Sequence, residues 1–187
     1  MWWDPQERKK LTDARPAWIL SAAEALVEPD IRWITPLYGF GSECTHIGVP
    51  ESARAVLHEM ANELIGTTGL VAIYIPEATA DVYQPGGMRG RVVGAVRFVP
   101  MPRGRRMEDY FYDDWDGSRR WPIGWPCEVV YAPDVEECPL FREHVEHLHG
   151  PYSFGGYVSR FQHGPFEMEL AMRERLNRDF AGLERLE

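Results

Sequence analysis

The strongest periodic pattern in the chain begins at Pro50. Ala53, Val56, Leu57, Met60 and Leu64 fall on one face of a helix, with the proline at its start and Gly66 past its end. Two apolar runs follow, Gly69-Leu-Val-Ala-Ile-Tyr-Ile-Pro and Arg91-Val-Val-Gly-Ala-Val-Arg-Phe-Val. Their length and near-continuous apolarity predict strands covered on both faces. The connection between them carries Pro85-Gly86-Gly87, so they are expected to pair as an antiparallel hairpin with a wide turn. Pro126-Cys-Glu-Val-Val-Tyr-Ala-Pro supplies another strand, and Tyr157-Val-Ser-Arg-Phe reads as a last one. Leu140, Phe141, His144, Val145 and Leu148 share one face of a short helix over 139–148 that stops at Gly150. From Phe166 onward, Leu170, Met172, Arg173, Leu176 and Phe180 predict a closing amphipathic helix.

The first quarter of the chain is less regular. Residues 1–15 read as a polar arm that Trp2 and Trp3 could dock; Ala17 then opens a strand, and residues 21–27 form a helical turn stopped by Pro29. Residues 31–42 mix strand and loop signals, with Pro36, Gly39 and Gly41 as breakers, and read as a loop rich in rings. Helices do not alternate with strands as in a doubly wound sheet. The pattern predicts an α+β domain over 16–187, or a small barrel flanked by helices, preceded by the arm.

Composition narrows the function more than the fold. The chain has 187 residues, enough for one domain with a substantial core, and no apolar run approaches a membrane span. The amino-terminal segment lacks the apolar stretch of a secretory signal, so a cytoplasmic location is expected. Cys44, Cys127 and Cys138 are too few for a disulfide framework, and Cys44-x-His46 has the wrong spacing for a zinc knuckle. The net charge of −9 argues against binding nucleic acid by charge alone. Between Val82 and Met107, however, there is no acid, and six arginines occur: Arg89, Arg91, Arg97, Arg103, Arg105 and Arg106. Such a segment either places an electropositive strip on one face or pairs with acids from elsewhere.

Catalytic patterns fail one by one. Asp109, Asp113, Asp114 and Asp116 do not fit a calcium loop. His144, His147 and His149 do not stand in metalloprotease order, no Gly-x-Ser-x-Gly elbow occurs, and Gly86-Gly-Met-Arg-Gly is too short for a phosphate loop. Neither catalysis nor a metal nor another cofactor is indicated. What remains is stacking. Six aromatics crowd residues 110–125 among charges, Gly117, Pro122 and Gly124, a mixture that suits a surface site better than a core strand. Trp115, Trp121 and Trp125 there, with Trp33 and Tyr38 in the earlier loop, could each offer a flat face worth about 1–3 kcal/mol against a base. The alternative for every one of these rings is packing in the core.

Four stretches together resemble the EVE family of the PUA-like superfamily, which includes YTH-type readers. Trp18-Ile-Leu-Ser with Glu24 and Pro29 is similar to the family's opening strand, without its lysine before the serine. Ser52-Ala-Arg-Ala-Val-Leu-His-Glu-Met is similar to the helix after the family's pocket loop, and Gly69-Leu-Val-Ala-Ile-Tyr and Gly90-Arg-Val-Val-Gly-Ala-Val resemble two strands of its barrel. The resemblance covers about residues 17–135 and implies a PUA-like small mixed barrel whose pocket takes a flipped, often modified, nucleobase. By position it brings in Ser21, Trp33, Tyr38, Arg54 and Trp121 as pocket residues. The loop Leu-Tyr-Gly-Phe-Gly-Ser lacks the family's Asn-containing stretch, which leaves the base open.

The expectation is therefore a non-catalytic binder of DNA or RNA. Ser21, Trp33, Tyr38, Arg54, Trp115, Trp121 and Trp125 would meet the base, and Arg89, Arg91, Arg103, Arg105 and Arg106 the phosphates. A binder of, or enzyme on, a free small molecule in the same pocket is the alternative, and a protein-interaction module with an exposed aromatic patch is a third. The oligomeric state is left open.

Overall fold

A six-stranded sheet with the spatial order β2-β5-β4-β3-β1-β6 organises the chain. The computed structural model describes residues 28–78, 87–113 and 116–186. Its strands are β1 (Ile31–Pro36), β2 (His46–Val49), β3 (Leu70–Tyr74), β4 (Val92–Phe98), β5 (Ile123–Tyr131) and β6 (Phe166–Glu167). The helices are α1 (Arg54–Leu64), α2 (Phe141–His149), α3 (Phe154–Val158) and α4 (Leu170–Phe180), with 3-10 turns at Glu51–Ala53, Met107–Asp109 and Ser159–His163. The architecture is α+β. β1 and β3 run parallel, and the other pairings are antiparallel, including the expected β3–β4 hairpin. Among the described residues the sheet is open, β2 and β6 being its edges, so the closure of a barrel is not formed there. The expected amino-terminal arm, first strand and helical turn lie outside the described residues, as do Ser21 and Trp115.

Alternation along the strands explains why both faces are covered. On β3 and the residue after it, Val71, Ile73 and Ile75 point to one side, where they join Leu57, Met60, Ala61 and Leu64 of α1. Leu70, Ala72 and Tyr74 point to the other, where they meet Phe141, Val145, Met172, Leu176 and Phe180 of α2 and α4. A strand with period 2 and no polar side has to be buried twice. Each such aliphatic side chain contributes about 1.5–3 kcal/mol by leaving water.

Local signals fix the helix ends. Pro50 is extended, with φ −66° and ψ 155°, and its carbonyl accepts the Ala53 N–H, so the turn that leads into α1 starts there. Gly66, at φ 79°, follows the end of α1, and the Thr67 hydroxyl donates to the Leu64 carbonyl at 2.7 Å. Gly150, at φ 92°, ends α2 in the same left-handed region.

Three expectations need correction. Residues 31–42 are not all loop: Ile31, Trp33 and Ile34 are buried on β1, between β3 and β6. Residues 157–161 are helical and not a strand, because Phe154, Tyr157 and Phe161 recur at spacings of three and four and turn one ring face toward Phe141. Leu170 is not on the buried face of α4 but 68% exposed; Met168, just before the helix, fills that place.

Candidate ligand-binding surface

Where β2 lies beside the start of β5, the chain has a glycine that lets a ring come close. A Cβ on Gly48 would stand 2.6 Å from Tyr112 Cδ2 and 3.2 Å from Trp121 Cβ, so only glycine leaves room for the Tyr112 ring. Tyr112 is bridged to Trp121 through its N–H, which donates to the Trp121 carbonyl at 3.0 Å. The Tyr112 hydroxyl donates to the His46 carbonyl at 3.0 Å, and the His46 ring stacks on it at 4.1 Å between centroids. Trp121 meets Tyr38 at 5.1 Å with the planes tilted by 49°. Tyr38 is 38% exposed, so this pair stands at the surface.

The hydrogen bonds of His46 define its state. Nε2 faces the Phe111 carbonyl at 3.4 Å, an acceptor only, and therefore carries the proton; Nδ1 then accepts from the Thr45 hydroxyl at 3.1 Å. Burial lowers its pKa below the ordinary histidine value, against the opposing effect of the Phe111 carbonyl, and keeps the ring neutral. Burial likewise raises the pKa of Tyr112.

The loop between Tyr112 and Trp121 is held by its own charges. Asp113 pairs with Arg119 at 3.0 Å, and the Arg119 guanidinium lies 3.8 Å from the centroid of the Phe111 ring. Asp116 accepts the Ser118 N–H at 2.8 Å beside Gly117, whose φ is 79°. The Ser118 hydrogen bonds hold the Asp116 carboxyl below its usual range. Asp109 accepts the Arg106 N–H at 2.8 Å at the start of the 3-10 turn. The described aspartates of this tract thus serve turns and ion pairs; Asp114 is outside the described residues.

Among the described residues expected to meet a base, only Tyr38 and Trp121 come together at the surface. Trp33 is 5% exposed and donates its indole N–H to Glu63 at 3.1 Å; Trp125 is 8% exposed and donates to the Val99 carbonyl at 2.9 Å. Both rings pack in the core on the α1 side and offer no open face. Arg54 is held by Glu51 at 3.0 Å and by Glu108 at 2.8 Å, so it ties the start of α1 to the 3-10 turn at Met107–Asp109. Those two carboxylates raise the Arg54 pKa. No protein-family model matches the chain, and no curated protein does.

The arginines divide as well. Arg91 is a structural residue, donating to the carbonyls of Gly87 at 2.9 Å and Cys138 at 2.6 Å. Arg89 is exposed, and Arg97 is half-buried on β4. Arg103, Arg105 and Arg106 are exposed on the loop after β4, and among the described residues no ion pair holds their guanidinium groups. That loop runs straight into the 3-10 turn and then over β5, where the Tyr110 carbonyl stands 2.2 Å from the place a Gly124 Cβ would take. The arginines are thus connected to the ring pair through a short, well-anchored stretch of chain.

Sequence reasoning missed His46, Gly48 and Tyr112, which build the platform under Trp121. The signal was present only as an unassigned four-residue strand, His-Ile-Gly-Val, with a glycine in its middle. A cavity of about 440 Å³ lined by Glu28, Pro29, Glu174, Asn177, Arg178 and Ala181 shares no residue with the rings.

Proposed function

We propose that the chain is a non-catalytic reader of nucleic acid, with Tyr38 and Trp121 gripping an extruded or modified base and Arg103, Arg105 and Arg106 meeting phosphates. The observation that carries this reading is the tilted Tyr38–Trp121 pair at the surface, joined through one anchored loop to three exposed arginines. In this reading the open sheet is the wall of a PUA-like fold of the EVE type, as the resemblance implies. Arg54, Glu51 and Glu108 position the loop and do not touch the base. Trp33 and Trp125 form the core behind the platform.

The test is a binding titration of labelled single-stranded and duplex DNA and RNA with and without modified bases. Trp121→Ala and Tyr38→Ala are each expected to weaken binding to the preferred oligonucleotide by roughly 5- to 150-fold, the equivalent of one lost stacking partner, with an unchanged circular dichroism spectrum. Unchanged affinity in both variants would remove the rings from the site. No measurable affinity of the wild type for any oligonucleotide would replace this reading by a small-molecule or protein ligand.

A further inference from the structure

Between Gly150 and Gly164 the chain makes a short excursion that side chains alone hold to the rest of the molecule. Both glycines are left-handed, at φ 92° and 96°. A Cβ on Gly164 would stand 2.6 Å from the Ala53 Cβ, so that end is pinned against the turn before α1. Among the described residues, no backbone hydrogen bond ties 151–163 to anything beyond these two glycines. The Ser153 N–H donates to the Gly150 carbonyl at 3.4 Å, and the Gly164 N–H to the Phe161 carbonyl at 3.0 Å. The backbone of the excursion is also weak in itself. α3 has five residues, far below the length at which a helix persists alone. Gly155 and Gly156 lie inside it, and a Cβ on either would meet nothing within 4 Å, so packing does not require them. Tyr152 takes φ 70°, a costly region for a residue with a Cβ, and at 94% exposed it gains no cover there.

Two kinds of tie oppose this weakness. Phe154 and Tyr157 meet the Phe141 ring edge-on at 6.2 and 5.8 Å between centroids, and Phe161 stacks on Tyr74 at 5.4 Å. The polar tie converges on one carboxylate, that of Glu169 just before α4. Its Oε2 accepts the Tyr157 hydroxyl at 2.8 Å, its Oε1 faces His149 Nε2 at 2.6 Å, and the Arg160 guanidinium lies 3.7 Å away. Arg160 also donates to the Glu167 carbonyl at 3.2 Å. Burial, and then the Glu169 carboxylate, raise the Tyr157 pKa, so its hydroxyl stays a donor. Against burial, the backbone N–H of Glu169, the Tyr157 hydroxyl and His149 hold the Glu169 carboxyl below its usual range.

We propose that residues 151–163 are a strap that leaves the body of the molecule as one cooperative unit, with Gly150 and Gly164 as its hinges and Glu169 as its latch. Release unfolds α3 and uncovers the rings of Phe141 and Tyr74, which are buried with α2 and α4 on one side of the sheet. One carboxylate spans the hinge at Gly150, holding His149 before it and Tyr157 after it. Opening of this kind costs far less than unfolding the sheet. It is independent of whether the chain binds nucleic acid.

The experiment is amide hydrogen exchange of the full chain at pH 7, read by mass spectrometry of peptides. In the wild type, 151–163 should exchange together and faster than α1 and β3. Glu169→Ala should speed exchange about tenfold throughout 151–163 and leave α1 and β3 within about twofold. Gly155→Ala and Gly156→Ala should act in the opposite direction, each slowing the same amides by about 2- to 5-fold. Chymotrypsin under native conditions should cut Glu169→Ala first at Phe154, Tyr157 or Phe161. Acceleration shared by α1 and β3, acceleration limited to the neighbours of Tyr157, or alanine variants that exchange as fast as the wild type would overturn the proposal. So would a Glu169→Ala chain that does not fold, because Glu169 would then support the whole molecule and not a strap.

Discussion

At Gly48 one added methyl group would meet the edge of an aromatic ring, and a ring held on both sides cannot give way as a flexible side chain does. Gly48→Ala is therefore expected to cost about 1–3 kcal/mol in chemical denaturation and to loosen the Tyr112–Trp121 platform. Gly124→Ala should cost more, because its methyl would meet two backbone carbonyls, Tyr110 O at 2.2 Å and Ile47 O at 2.5 Å. The reverse ranking would refute this account of the platform. His46 gives a second expectation. Its pKa is lowered in the fold by burial, so in the range just below pH 6.5 the unfolded chain takes up a proton that the folded chain refuses. Stability should rise with pH through that range and this contribution should be constant above it. The urea midpoint should thus drop on acidification from about pH 7 to pH 5, and drop less in His46→Gln; equal drops would exclude His46 as the source. The site was only partly legible in the sequence for the same local reason. A tryptophan's composition context reads alike whether it is half-buried beside an exposed ring, as Trp121 is beside Tyr38, or covered, as at Trp33 and Trp125. What separates them is which residue lies across the sheet, and that is set by strand pairing that no short motif contains.

Element by element, legibility followed periodicity. α1, β3, β4 and α2 carry long one-face or two-face patterns and bounding glycines and prolines, so they read directly. β2 and β6 have four and two residues, too few to show a period, and exist because neighbours supply their hydrogen bonds. Residues 157–161 misled because their aromatic and β-branched residues favour strands, while the helical recurrence becomes visible only when Phe154 is included. α4 shows the energetic side of this. Phe180 is fully buried against Tyr131 with ring centroids 5.5 Å apart, whereas Leu170 at the other end of the same helix is largely in water. Phe180→Ala should cost about 3–5 kcal/mol, and Leu170→Gln should stay within about 0.5 kcal/mol. Equilibrium unfolding of the two variants distinguishes them, and a large loss at Leu170 would mean that the face of α4 is misassigned.

On the scale of the whole molecule, charge decides how a chain of net −9 could meet a polyanion. Long-range attraction is not available to it, so any phosphate contact must be local and must outweigh repulsion within a Debye length of about 8 Å at physiological salt. The structure narrows the six arginines of the acid-free segment. Arg91 is committed to two backbone carbonyls and Arg97 is half-buried, while Arg103, Arg105 and Arg106 are together on one exposed loop. Three phosphate contacts release counterions in proportion. The logarithm of the binding constant should fall against the logarithm of salt with a slope of about −2 to −3, nearer the smaller figure for single strands. Replacing all three arginines by serine should bring that slope toward zero. Tyr38→Ala or Trp121→Ala should instead lower affinity at every salt concentration and leave the slope unchanged, because stacking releases no counterions. Titrations at four or five salt concentrations separate the two kinds of contact. A wild-type slope already near zero would refute the phosphate contacts, and a slope unchanged in the triple variant would move them to another face of the molecule.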